Sequence, residues 1–199
     1  MLTKLPTNSE ETIALLKSYG AIEEGHFLLA SGRHSGHYIK KGRLIQHPWE
    51  LQQMIDQKVE ALRALGEIDV VASPAVGGIP VGQQVGLALK ARAIYAERNP
   101  DNDLELKRGF SIAKGERVLL VEDVITTGGT LEEMQAFVTD AGGEVAGVFV
   151  IVNRSGKKDI LGYPLVSCME ITFPTYAPGE VPTELAAIPA VRPGTKRAS

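Results

Sequence analysis

Two adjacent carboxylates, Glu122 and Asp123, close the apolar run VLLV, and a loop of hydroxyls and glycines follows: Thr126, Thr127, Gly128, Gly129 and Thr130. Glycines let backbone N–H groups turn toward an anion, and a helix N-terminus strengthens such a site. The loop therefore suits a phosphate monoester. The acids before it repel phosphate but accept hydrogen bonds from sugar hydroxyls. They also repel each other unless a ligand's hydroxyls or a magnesium ion share their field. The segment asks for a sugar phosphate. It is not the nucleotide P-loop, whose glycine-lysine pair is absent. A tight strand-to-helix turn without a ligand would account for the glycines, but not for the acid pair.

These residues need a frame. The spacing predicts a helix over residues 10–18 with Ser9 as its cap, then two short strands or a hairpin over 26–45 forming a hood. Apolar residues at Leu51, Met54, Ile55, Val59, Leu62 and Leu65 predict one amphipathic helix over 49–65, stopped by Gly66. An alternation follows: strand 68–73, loop 74–79, helix 80–90, strand 93–96, strand 117–123, helix 131–140 and strand 145–153. Residues 98–108 are polar and read as an exposed loop or a hairpin. Repeated strand-helix-strand units imply an α/β fold, a parallel sheet flanked by helices. Ligands on such sheets bind beyond the carboxyl ends of the strands, so the loops at Pro74, Arg98, Thr126 and Arg154 should share one edge. The proline-rich tail from Phe173 should wrap the surface and end in disorder. The expected organisation is one domain over 1–199, with a hood at roughly 1–48, a core at roughly 49–170 and a tail at roughly 171–199.

The 199 residues carry a net charge of -3, which argues against a nucleic-acid partner. No apolar stretch has the length of a membrane span, and the start lacks a signal-peptide core, so a cytoplasmic location is expected. Cys168 is the single cysteine and sits in an apolar context, as a core residue would. The spacings of His26, His34, His37 and His47 fit no zinc pattern, and no metal ligand set is assigned; solvated loop positions are expected. Lys40, Lys41 and Arg43 read as a solvated strand edge.

VLLVEDVITTGGT resembles the signature of the type I phosphoribosyltransferases, which bind 5-phosphoribosyl 1-pyrophosphate. Within that family FLLASGRHSGHY, SPAVGGIP and VNRSGK resemble segments of the orotate phosphoribosyltransferases, in matching order along nearly the whole chain. The resemblance implies that Glu122 and Asp123 hold the ribose hydroxyls. It implies that Val124, Ile125, Thr126, Thr127, Gly128, Gly129 and Thr130 cradle the 5-phosphate. Ala75, Val76, Gly77 and Gly78 would bind the pyrophosphate, Arg98 and Lys107 would face it, and Arg154 with Thr126 would contact orotate. Magnesium, held mainly through the substrate, and a homodimer are implied as well, with orotidine 5-phosphate as product in pyrimidine synthesis.

The chain departs from that pattern. Asn99 replaces the first lysine of the mobile loop, and no histidine follows. Ala30 and Gly77 occupy usual lysine positions, Glu122 replaces an aspartate, and Asn153 replaces the acid before Arg154. Three outcomes stay open: compensation by Arg98, Lys107 and Arg108, a divergent branch with a shorter loop, or altered activity. The rival readings are transfer to a purine base, a non-catalytic sensor of the same donor, and a generic sugar-phosphate binder.

Overall fold

A computed structural model describes residues 4–29 and 31–193 of the chain. Ala30 and the expected disordered end at 194–199 lie outside the described residues. Helix α1 (Ser9–Ser18) leads into strands β1 (Ile22–Leu28) and β2 (His34–Ile39), followed by α2 (Lys41–Ile45), α3 (Pro48–Asp56) and α4 (Val59–Arg63). Then come β3 (Val70–Pro74), α5 (Gly78–Leu89), β4 (Arg92–Arg98), β5 (Leu104–Leu106), β6 (Arg117–Ile125), α6 (Gly129–Asp140) and β7 (Glu144–Asn153). The chain continues through β8 (Asp159–Ile160), β9 (Tyr163–Glu170), β10 (Thr175–Tyr176) and α7 (Thr183–Ala186).

Seven strands form the central sheet in the order β5-β4-β3-β6-β7-β9-β8. The inner five are parallel, and β5 and β8 pair antiparallel at the edges. The expected α/β fold is therefore present, and residues 98–108 do contain a hairpin. The chain runs from β3 outward to β4, then crosses back to place β6 on the other side of β3. That reversal opens a crevice between the carboxyl ends of β3 and β6, where the loops cannot cover each other.

One sheet face packs under α1, α3, α4 and α5 through Leu16, Leu51, Met54, Ile55, Leu62, Val81 and Val85. The other packs under α6 through Leu131, Met134 and Val138. Phe149 on β7 is the largest fully buried side chain. Strands buried on both faces read as continuous apolar runs, which is why VLLV and VFVIV were legible.

Several boundaries differ from expectation. Asn8, rather than Ser9, caps α1, accepting a 2.9 Å hydrogen bond from the Glu11 N–H. The single helix expected over 49–65 is broken at Gln57 and Lys58 into α3 and α4, although Leu51, Met54, Ile55 and Leu62 of its stripe are buried and Val59 and Leu65 half-buried. Strand β6 runs two residues past the acids, to Ile125. The tail contributes β10 to a three-stranded antiparallel sheet with β2 and β1, and Val191 bridges Phe27. Of the four histidines only His47 lies in a loop, half-buried between α2 and α3; His26, His34 and His37 lie on strands β1 and β2. His26 is buried, its Nε2 lies 2.6 Å from His34 Nδ1, and its Nδ1 lies 2.8 Å from the Ile188 carbonyl. Cys168 is buried as expected, and burial pushes its thiol up to about 12.

Helix α5 aims its N-terminus at the crevice, and its glycines explain how. Gly78, Gly82 and Gly86 recur every four residues on the face toward β3 and β4. A Cβ would come within 2.8 Å of Ser73 Oγ at Gly82, and within 2.8 Å of Ala93 Cβ at Gly86. Each helical glycine costs about 1 kcal/mol relative to alanine, a cost offset by the close seating it allows. Gly86→Val should overpack this contact and lower stability by about 1–3 kcal/mol, read from the urea midpoint. An unchanged midpoint would mean that α5 stands off the sheet.

Candidate active site

The crevice at the β3–β6 reversal is a cavity of about 220 Å³, bordered by Lys41, Pro74, Ala75, Val76, Gly77, Gly78, Arg98, Leu104, Glu122, Asp123 and Thr130. Larger clefts lie elsewhere. One of about 350 Å³ sits between the α1 N-terminus and Cys168, and another of about 560 Å³ between β1 and residues 188–193. Neither is lined by Glu122, Asp123 or the glycine loops beside them; those residues border the smaller space.

Asp123 is the most constrained group here. Its side chain is 1% exposed. Its Oδ1 accepts hydrogen bonds from its own following amide, Val124 N–H, at 2.7 Å and from Lys41 Nζ at 3.0 Å. Lys41 Nζ also lies 2.9 Å from Oδ2, but its hydrogen bond is aimed at Oδ1, and Oδ2 is buried without an aligned donor. A buried carboxylate oxygen in that state is costly until a donor arrives. Gly77 provides the room, because a Cβ there would overlap Asp123 Oδ2 and come within 3.1 Å of Lys41 Nζ.

Glu122 precedes Asp123 on the strand, and alternation sends the two toward opposite faces. Both still border the cavity, because it lies across the strand end. Burial, then the like charge of Asp123, pushes the Glu122 carboxyl up to about 7, with Lys41 opposing.

Two backbone turns flank these acids. Gly128 caps α6 in the left-handed region at φ 96°, and no side chain caps that helix. Its first-turn amides are thus left for an anion, with Thr130 at the cavity wall and Thr126 and Thr127 exposed beside it. Val124 is half-buried, and Ile125 points into the core, so only its backbone is left to meet a ligand. On the other side, Ala75, Val76, Gly77 and Gly78 link β3 to α5, and the Ala75–Val76 peptide is cis.

Arg154 lies directly beyond β7. Its amide donates to the Ile125 carbonyl at 2.9 Å, which ties it to the loop after β6. Its guanidinium carbon sits 5.4 Å from the centre of the Phe173 ring, whose other neighbour His37 stacks at 4.5 Å. Nε is buried without a hydrogen-bond partner, and burial depresses the group's pKa while nearby Tyr38 opposes the shift. Asn153 is not a stand-in for a ligand acid. Its Oδ1 accepts from Ser155 N–H at 2.9 Å and its Nδ2 donates to the Lys157 carbonyl at 2.8 Å, folding the turn that presents Arg154.

The other expected cations are engaged elsewhere. Arg98 borders the cavity but forks onto Glu133 of α6, at 2.7 and 3.1 Å. Lys107 pairs with Glu105 at 2.8 Å, and Arg108 with Glu97 at 2.7 Å. Neither lines the cavity. Lys41, by contrast, is not part of a solvated strand edge. It opens α2 and reaches the site from 82 positions away. Nothing local in the sequence marks that contact.

A family model for the phosphoribosyl transferase domain matches residues 46–177. The orotate phosphoribosyltransferase of Erythrobacter litoralis (strain HTCC2594) is 45% identical over 191 residues, which covers 94% of this chain and 97% of that protein. The orotate phosphoribosyltransferase of Caldicellulosiruptor saccharolyticus is 42% identical, covering 96% and 98%. Among solved structures, orotate phosphoribosyltransferase from Aeropyrum pernix superposes with a TM-score of 0.67 at 28% identity, covering 79% of this chain and 92% of that one.

The raised Glu122 carboxyl has a thermodynamic consequence. A carboxyl that binds its proton more tightly when folded stabilises the fold below its ordinary value of 4.5, and that contribution is lost as pH rises through about 7. Between pH 5 and 8 the unfolding midpoint of the native protein should therefore fall more steeply than that of Glu122→Gln. Parallel curves would show that burial does not perturb Glu122.

Proposed function

The chain belongs to the phosphoribosyl transferase domain family, among its orotate phosphoribosyltransferases, and from that premise we propose how its own residues carry the reaction. These enzymes transfer the ribosyl phosphate of 5-phosphoribosyl 1-pyrophosphate to orotate, giving orotidine 5-phosphate and pyrophosphate in pyrimidine biosynthesis. The observation that carries the assignment of roles is the buried Asp123 carboxylate, packed against Gly77 and paired with Lys41, its Oδ2 without an aligned donor, between the glycine turns that open α5 and α6.

A ribose hydroxyl donates to Asp123 Oδ2, and Glu122 takes the neighbouring hydroxyl. The 5-phosphate rests on the amides of residues 126–130, with the hydroxyls of Thr126, Thr127 and Thr130 around it. The Ala75 amide is held by the Ala96 carbonyl at 2.8 Å, so the pyrophosphate rests on the amides of Val76, Gly77 and Gly78, with Ala75 lining the turn, Arg98 at the outer wall and Lys107 beyond it. As the bond to C1 breaks, positive charge grows on the ring. The two carboxylates, fixed beneath it and away from bulk water, favour that charge without having to reorganise.

Arg154 recognises the carboxylate of orotate, and Thr126 adds a contact to the base. The guanidinium is planar and keeps its charge when buried, and Phe173 holds one face. Its unpartnered Nε supports this reading, since a ligand carboxylate would satisfy a fork that the protein leaves open.

Magnesium belongs to the same reading. No group of three or more His, Cys, Asp or Glu side chains among the described residues could cage a metal. Two carboxylates beside phosphate-binding turns instead fit a hard cation carried mainly by the donor's own phosphates. When bound it supplies positive charge against the departing pyrophosphate. A homodimer and a cytoplasmic location complete the proposal. No described helix is long and apolar enough to cross a membrane. Purine transfer and donor sensing are not favoured, since relatives matching nearly the whole chain are orotate enzymes.

Arg154→Ala should lower orotate turnover by about 10- to 100-fold, the loss expected for one charged hydrogen-bonding group, while leaving donor binding intact. Orotate absorbance follows the first quantity and calorimetry the second, alongside a panel of uracil, adenine, guanine, hypoxanthine and xanthine. Unchanged orotate turnover, or equal use of a purine, would refute the base assignment.

A further inference from the structure

We propose that Lys41 is the cation that meets the donor's pyrophosphate, and that its bond to Asp123 holds it in place until the donor arrives. This rests on the reading above, in which Asp123 binds a ribose hydroxyl. The geometry begins with the gap at position 77. Lys41 Nζ stands 3.1 Å from where a Gly77 Cβ would be, so the ammonium fills space directly beside the backbone that faces the leaving group. The same Nζ holds both Asp123 oxygens within 3.0 Å.

The charges around the cavity single out this lysine. Arg98 is forked onto Glu133 and Arg108 onto Glu97, and Lys107 is paired with Glu105, all carboxylates that no ligand contact in the proposed reaction displaces. Lys41 alone among these four is paired with a carboxylate that the substrate itself would occupy. When a ribose hydroxyl donates to Asp123, the ammonium loses part of its partner just as a polyanion enters the adjoining space. Its side chain is 48% exposed and carried on a flexible stem, so it can turn from carboxylate to phosphate without disturbing the core. The exchange keeps charge balanced in both states: Lys41 with Asp123 in the free protein, Lys41 with pyrophosphate in the complex.

The test compares three probes with magnesium present: 5-phosphoribosyl 1-pyrophosphate, pyrophosphate alone, and ribose 5-phosphate. Calorimetry is run on the native chain, Lys41→Met and Lys41→Arg, with thermal unfolding as a check on folding. Loss of one ammonium–phosphate contact should weaken the donor and pyrophosphate on the order of tenfold in Lys41→Met. Ribose 5-phosphate should change less than about threefold, and Lys41→Arg should recover most of the donor affinity. A lysine that merely positions Asp123 would instead weaken ribose 5-phosphate and the donor alike. That result, or no change with any probe, overturns the inference while leaving the reaction in place. A native chain that takes up neither ribose 5-phosphate nor the donor overturns the functional reading itself.

Discussion

A carboxylate with almost no exposure to water must be stabilised from within, and the site of this protein is arranged around that requirement at Asp123. The stabilisation is incomplete. One oxygen accepts from an amide and an ammonium, while the other, 2.9 Å from that ammonium but without an aligned hydrogen bond, sits in a gap that exists because residue 77 has no side chain. The gap depends on where the β3–α5 turn sits, which depends in turn on how closely α5 lies on the sheet. Gly82 and Gly86 of α5 are therefore as much a part of the site as the acids, although only Gly78 of the helix's glycines borders the cavity.

The sheet topology makes the crevice available, but the electrostatics decide what enters. Two acids, two turns of free amides and one movable ammonium leave a space that repels a bare anion from its floor and attracts one at its walls. A molecule with hydroxyls in the middle and phosphates at both ends resolves both demands at once. Burial, and then the like charge of Asp123, raises the Glu122 carboxyl, so the same closeness that shapes the floor of the space also weakens its charge.

Much of this was legible in the sequence. The strand-loop-helix around Glu122 and Thr126, the glycine turn after β3 and the arginine after β7 are local signals, and each element that carries them is where periodicity places it. The misplaced features are those set by distant partners. The break at Gln57 in the helix over 49–65 leaves the apolar stripe intact, so periodicity cannot reveal it. The hood histidines looked solvated because their partners, Ile188 and Phe173, come from the tail. Lys41 is the extreme case, since a lysine pair beside a strand reads as surface whenever its carboxylate lies 82 residues away.

The missing lysines of the family pattern take on a different meaning once Lys41 is in view. A lysine at position 77 would place its own backbone-proximal carbons where Asp123 Oδ2 now lies, forcing the carboxylate to move. Glycine there and an ammonium arriving from α2 solve the same problem from opposite directions: the loop approaches the acid closely, and positive charge comes from outside the loop. Because that charge rides on the segment joining the hood to the core, the placement of the hood and the electrostatics of the cavity are linked. Tyr38 on β2 and Phe173 beyond β9 lie near Arg154 in the same way. The hood and tail thus help to set the charge and the walls of the site that the sheet opens.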